Sequence, residues 1–129
     1  MPTTPASTRI TDVRTVAVPV SDTDRAIDFY TDQLGFEVRM DVPFREGLRW
    51  VEVAAPGAST SIALVPPGPE GRVGVDTGIR LSTADAEADH AELRSRGVDT
   101  DEEILRVPVP MFTFRDQDGN TLYIVQAQQ

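Results

Sequence analysis

Apolar positions along this chain recur with two different periods, and the switches between them divide it into elements. Val13-Arg14-Thr15-Val16-Ala17-Val18-Pro19-Val20 alternates, so Val16, Val18 and Val20 share one face while Thr15, Ala17 and Pro19 share the other. That pattern predicts a half-buried strand. Ser21-Asp22-Thr23-Asp24 then supplies a helix cap and an acidic first turn, and Ala26, Ile27, Tyr30 and Leu34 follow at helical spacing until Gly35 ends the run. Three further strands are predicted over 36–40, 48–54 and 60–65, separated by turn-forming Pro and Gly residues. The first half therefore reads β-α-β-β-β.

After the linker 66–72 the pattern restarts. A strand over 78–82, a cap at Ser82 or Thr83 and a helix through Ala86, His90 and Leu93 to Gly97 repeat the opening order. The closing hairpin, 111–115 and 121–126, turns at Asp116-Gln117-Asp118-Gly119-Asn120, whose Asp, Gly and Asn tolerate positive φ. Two similar halves of this length indicate a duplicated module and not a solenoid, which needs at least about three shorter repeats. Two copies imply pseudo-twofold symmetry.

Size and charge narrow the functional classes. A chain of 129 residues fits one compact domain, expected over 10–128 behind a leader at 1–9, with module one at about 10–66 and module two at about 74–126. No apolar run reaches the roughly 18 residues that span a bilayer, and the start lacks the basic and apolar regions of a secretory signal. The formal charge of −9 disfavours nucleic acid, which draws protein cations to its phosphates. All 12 basic residues are Arg, and the absence of Cys removes disulfides and thiolate ligands. A cytoplasmic protein with no membrane or nucleic-acid partner is expected.

Three motifs in order carry a resemblance: Val18-Pro19-Val20-Ser21-Asp22 leading through Ala26-Ile27-Asp28-Phe29-Tyr30 to Leu34-Gly35-Phe36-Glu37-Val38, then Ala91-Glu92-Leu93-Arg94-Ser95-Arg96-Gly97-Val98, then Phe114-Arg115-Asp116-Gln117-Asp118-Gly119-Asn120. Over residues 10–126 the chain resembles the vicinal-oxygen-chelate superfamily, which holds glyoxalase I, extradiol dioxygenases, fosfomycin-resistance enzymes and bleomycin-resistance binding proteins. The resemblance implies an α+β fold of two tandem βαβββ modules forming a cup-shaped mixed sheet with helices on the convex side. It also implies a homodimer with grooves between subunits. One such scaffold hosts several chemistries and at least one purely binding role, so function must come from the residues in the cup.

In the enzymes of that group the cup carries His and Glu metal ligands, one on each of four strands. The matching positions here are Thr15, Ala63 within Ile62-Ala63-Leu64, Gly78 and Tyr123. None offers imidazole or carboxylate, and His90, the only His, lies in a helix on the convex side as a structural residue. No metal, no cofactor and no catalytic residue are therefore expected. With one His and no Cys there is also no nucleophile-base triad, and the stretch 68–74 lacks the Gly-Lys-Ser/Thr ending of a phosphate loop.

Strand parity says what replaces the ligands. If Leu122 and Ile124 pack under the helices, Tyr123 faces the hollow; Thr15, Ala17, Ala63, Arg80 and Ser82 follow by the same rule. Trp50 joins them if Val51 and Val53 belong to the core, as do Met111, Thr113 and Arg115 if Phe112 and Phe114 do. Phe44, read as a loop residue, overhangs the mouth. The candidate ligand-binding set is Thr15, Phe44, Trp50, Ala63, Arg80, Met111, Thr113, Arg115 and Tyr123, which suits a large, partly planar and aromatic or cationic small molecule. The competing reading is that its aromatics serve packing. The expected function is metal-independent sequestration of an antibiotic or other toxic natural product, the alternative a divergent glyoxalase-like lyase, isomerase or dioxygenase.

Overall fold

A computed structural model describes residues 7–127. The first half forms β1 (Thr15–Pro19), α1 (Thr23–Asp28) continued by a π-helical turn (Phe29–Gln33), β2 (Glu37–Arg45), β3 (Leu48–Ala54) and β4 (Ser61–Val65). The second half forms β5 (Asp76–Thr83), α2 (Ala86–Ser95), β6 (Asp99–Thr100), β7 (Met111–Arg115) and β8 (Thr121–Gln126). Each half is a four-stranded mixed sheet, ordered β1-β4-β3-β2 and β5-β8-β7-β6. In both, the first strand runs parallel to the last and the remaining pairs are antiparallel. The tandem βαβββ reading is the observed fold.

Local chemistry explains the boundaries, including those that sequence periodicity missed. Asp22 caps α1 by accepting from the Arg25 N–H, and Gly35 with φ 77° ends the helical run. α2 is capped by Asp85, which accepts from the Ala88 N–H at 3.0 Å, and not by Ser82 or Thr83 as expected. Thr83 is still in β5, and its hydroxyl accepts from the Asp85 N–H, so it shapes the turn before the helix. β2 runs past Met40 to Arg45 despite Pro43, because β2 is an edge strand, where proline is tolerated, and its pairing with β3 is irregular just after Pro43. Phe44 is therefore a strand residue. The two-residue β6 carries too little pattern to be read in advance.

One core serves both sheets. Val18, Val51, Val53, Ile62 and Leu64 from the first join Phe112, Phe114, Leu122 and Ile124 from the second in a single buried cluster with Ala26, Tyr30, Ala86 and Leu93 of the helical segments. The first helical segment is shared between halves: Phe29 stacks on Phe114 at 6.3 Å, and the buried Tyr30 hydroxyl donates to Asp116 Oδ2 at 2.8 Å. Burial and the Asp116 carboxylate push the Tyr30 phenol far above its ordinary range, so it stays a donor. His90 behaves as a structural residue, donating through Nε2 to the Asp101 carbonyl at 2.7 Å and meeting Phe112 edge-on.

The Asp116–Asn120 turn ties the halves together. Asn120 is fully buried; its Oδ1 accepts from the Gly74 and Val75 N–H groups, and its Nδ2 donates to the Pro19 carbonyl and to Asp116 Oδ2. Asp118 accepts from the Ser21 backbone N–H and hydroxyl. A motif legible as a turn is also the staple that joins β1 to the entry of β5 and to the last hairpin.

Candidate functional site

The conditions set for strand parity are met. Val51, Val53, Phe112, Phe114, Leu122 and Ile124 are all buried, so Trp50, Met111, Thr113, Arg115 and Tyr123 lie on the opposite faces of their strands. Register then sorts the candidates into two patches, one on each sheet.

On the first sheet Thr15 stands opposite Ser61, Ala17 opposite Ala63, Ala63 opposite Glu52, and Trp50 opposite Val42. The ring of Phe44, 53% exposed, lies 5.7 Å from Trp50 at 49°, and the Arg45 guanidinium lies over the Phe44 ring, 4.9 Å from its centre. Ala63 does not line an accessible surface: at 1% exposure it is covered, so the ligand-facing role expected of it is corrected to a packing role. Thr15 is engaged by its neighbours, within hydrogen-bond distance of Ser61 Oγ and accepting from Arg14.

On the second sheet Arg80 stands opposite Tyr123 and Tyr123 opposite Thr113, while Met111 pairs with Val125. The Arg80 guanidinium lies 4.6 Å above the Tyr123 ring, a cation–π contact, and Tyr123 donates its hydroxyl to Asp76 Oδ2 at 2.8 Å. That hydrogen bond raises the Tyr123 phenol above its usual value, away from any role as a neutral-pH base. Arg115 is committed to Asp99 and Asp101 at 2.8 and 2.9 Å, and Asp101 also accepts from the Thr113 hydroxyl. Burial pulls the Asp101 carboxyl upward, but the bonds from Thr113 and Arg115 outweigh it and hold it below the usual range. Arg115 is thus a cross-strand brace, leaving Arg80 as the more available cation.

A groove of about 640 Å³ opens beside β1 and β5, lined by Ala17, Ile62, Ile79, Arg80 and Ser82 among others, Arg80 being the candidate residue that reaches it. Its volume falls in the range of small-molecule pockets, about 300–1,000 Å³. Among the described residues no hydrogen bond, ion pair or ring contact links the Trp50 patch to the Tyr123 patch.

The sequence reading missed Glu52, Asp76 and Asp101. Glu52 did carry a signal, a lone charge between Val51 and Val53 with the parity of Trp50. Asp76 and Asp101 carried none, because they meet their partners only through cross-strand register and a folded-back loop.

The family model of the glyoxalase/bleomycin resistance protein/dioxygenase superfamily matches residues 13–124. The chain belongs to that superfamily. It is 37% identical to TnmS3, an antibiotic binding protein from Streptomyces sp. CB03234, with a TM-score of 0.84 over 94% of this chain and 99% of that one. It is 36% identical to a superfamily member from Sphaerobacter thermophilus, with a TM-score of 0.86 over 92% and 98%. YetH of Bacillus subtilis is 30% identical over 89% of this chain and 98% of its own length.

Membership brings the superfamily's metal into question, and the residues do not fit one. Thr15, Ala63, Gly78 and Tyr123 stand where ligands are expected, with Ala63 covered and Tyr123 bound to Asp76. Among the described residues no three His, Asp or Glu side chains are grouped to hold an ion. Nor is any helix there long and apolar enough to cross a membrane.

Proposed function

We propose that this protein is a metal-independent binder of a planar organic small molecule, acting in the cytoplasm by sequestering an antibiotic or other toxic natural product. The observation that carries the reading is the exchange at the four ligand positions: a hydroxyl, a methyl, a glycine and a phenol stand in place of imidazole and carboxylate. Around them the exposed and half-buried groups are flat or adaptable. Trp50 and Phe44 offer ring area on one sheet; Tyr123, Arg80 and Met111 offer a ring, a cation and a thioether on the other. The similarity to an antibiotic binding protein across nearly the whole chain supports the same reading.

A homodimer completes the proposal. Each chain carries two separate patches, and a second copy would set the first patch of one subunit against the second patch of the other, enclosing a ligand that neither patch surrounds alone. The experiment is a titration of the purified protein with a panel of polyaromatic antibiotics, followed by mass spectrometry of the released ligand and elemental analysis of the protein. Binding with unchanged ligand, no stoichiometric metal and an affinity loss of about tenfold or more in Trp50→Ala and Tyr123→Ala is expected. Chemically altered product would replace sequestration with catalysis. Unchanged affinity in both variants would remove these rings from the site.

A further inference from the structure

The Trp50 patch contains a charge that surface recognition alone does not require. Glu52 lies on the same strand face as Trp50, yet it is only 3% exposed, the most enclosed acidic side chain among the described residues. Its Oε2 accepts from the Trp50 indole Nε1–H at 2.6 Å and from Arg14 Nη1 at 3.2 Å, while Oε1 accepts from the Ser61 hydroxyl at 2.7 Å. Ser61 Oγ lies 3.1 Å from Thr15 Oγ1, which itself accepts from Arg14. One carboxylate therefore joins β3, β4 and the entry to β1 beneath an aromatic ring.

A buried carboxylate is costly unless its lone pairs are used, and an apolar residue of similar volume would fill the same space without that cost. What an apolar residue would not do is hold the indole. A tryptophan on a sheet surface rotates about two side-chain bonds, and its single polar atom is the directional handle by which a neighbour fixes the ring plane. A charge-assisted hydrogen bond supplies both direction and strength. With Nε1 anchored, the free ring face is presented at a set angle to Phe44, 5.7 Å away at 49°. The two rings then form a notch with one fixed wall. Arg14, whose side chain is 69% exposed, closes the clamp from the solvent side.

We infer that Glu52 is a positioning residue that fixes the plane of the Trp50 indole, pre-organising the aromatic notch for a flat ligand. The ligand half of this statement rests on the binding function proposed above; the clamp itself does not. Pre-organisation raises affinity by removing rotamer freedom before binding, so loss of the clamp weakens binding without removing any ring.

Trp50 is the only tryptophan in the chain, so its signals report this site without ambiguity. In a proton–nitrogen correlation spectrum of the free protein, the indole N–H of the wild type is expected as one downfield resonance that exchanges slowly with deuterium. Glu52→Gln, which keeps one acceptor oxygen, should shift it and speed exchange by several-fold; Glu52→Leu should do so by more, and Ser61→Ala by less. Ethidium serves as a flat polyaromatic probe, with affinity expected to fall about tenfold in Glu52→Leu and by less in Glu52→Gln. An indole resonance unmoved in both Glu52 variants overturns the clamp, whatever the binding result. A moved resonance with unchanged ethidium affinity overturns the positioning role. If the wild type binds no ethidium, the flat-ligand reading fails for both this inference and the proposed notch, while the clamp is still decided by the resonance. Should Glu52→Leu fail to fold, the order wild type, Ser61→Ala, Glu52→Gln carries the test.

Discussion

Replacing Asn120 by Ala removes the side chain that holds the two halves of this molecule in place. Four hydrogen bonds go with it: from Gly74 N at 2.8 Å and Val75 N at 3.0 Å, to the Pro19 carbonyl at 2.8 Å, and to Asp116 Oδ2 at 3.0 Å. Asp116 keeps Tyr30 and two backbone donors, so its loss is small. The other three partners are Pro19 of β1 and the Gly74 and Val75 N–H groups just before β5. Each hydrogen bond contributes about 1 kcal/mol net. Because Gly74, Val75 and Pro19 are not fully buried, water can reach the freed groups and the four bonds at about 1 kcal/mol each set the scale, a total of about 4 kcal/mol against a stability of roughly 5–15 kcal/mol for a domain of this kind. Urea unfolding measures it directly: with a slope of about 2 kcal/mol per molar, the midpoint should fall by about 2 M. Asn120→Asp separates acceptor from donor, since it keeps an oxygen for Gly74 and Val75 but places a carboxylate before the Pro19 carbonyl and Asp116. It should lose at least as much at neutral pH. A loss under about 1 kcal/mol in Asn120→Ala, with an unchanged slope, would show that the staple is incidental to the joint between the sheets.

Two further predictions concern the core and its acid response. Tyr30→Phe keeps the buried ring and its contact with Phe29 but deletes the bond to Asp116; a cost of about 2 kcal/mol is expected, read as a Tm lowered by roughly 8 °C, and an unchanged Tm would mean that the Asn120 amide is enough for Asp116 Oδ2. Glu52 is held below its ordinary range first by the Trp50 hydrogen bond, and Asp41 by its bonds from Arg49. Asp99 is held down first by Arg115, and in Asp118 the bonds from Ser21 outweigh an opposing burial effect. In each case the folded value lies below the unfolded one, so the folded state favours the carboxylate. The stabilisation is complete above the unfolded values, near pH 4, and is lost as pH falls through the depressed folded values. Urea midpoints measured from neutrality down to about pH 3 should decline below about pH 4; a flat or rising profile there would contradict the assigned hydrogen bonds.

Much of this fold was legible because its signals are local. Alternation along 13–20 and 121–126 and the helical spacing of Ala26, Ile27, Tyr30 and Leu34 each follow from backbone geometry, so the duplicated βαβββ order and the facing of Tyr123, Arg80 and Thr113 could be read from the chain alone. The replacement of ligand side chains at Thr15, Ala63, Gly78 and Tyr123 was equally visible, since residue identity needs no coordinates. Parity says only which residues share one face of one strand. Which strand lies beside which, and which loop folds back, is set by contacts between residues far apart in the chain. Register placed Glu52 beside Ala63 and under Trp50, engaged Arg115 with Asp99 and Asp101, and sorted nine candidates onto two patches. Packing of the shared core placed Tyr30 and Asn120 at the joint between halves, turning an ordinary turn motif into a buried polar network. The chain determined its elements and the chemistry it lacks; only tertiary structure decided which of its polar groups are spent on holding the scaffold and which remain free to meet a ligand.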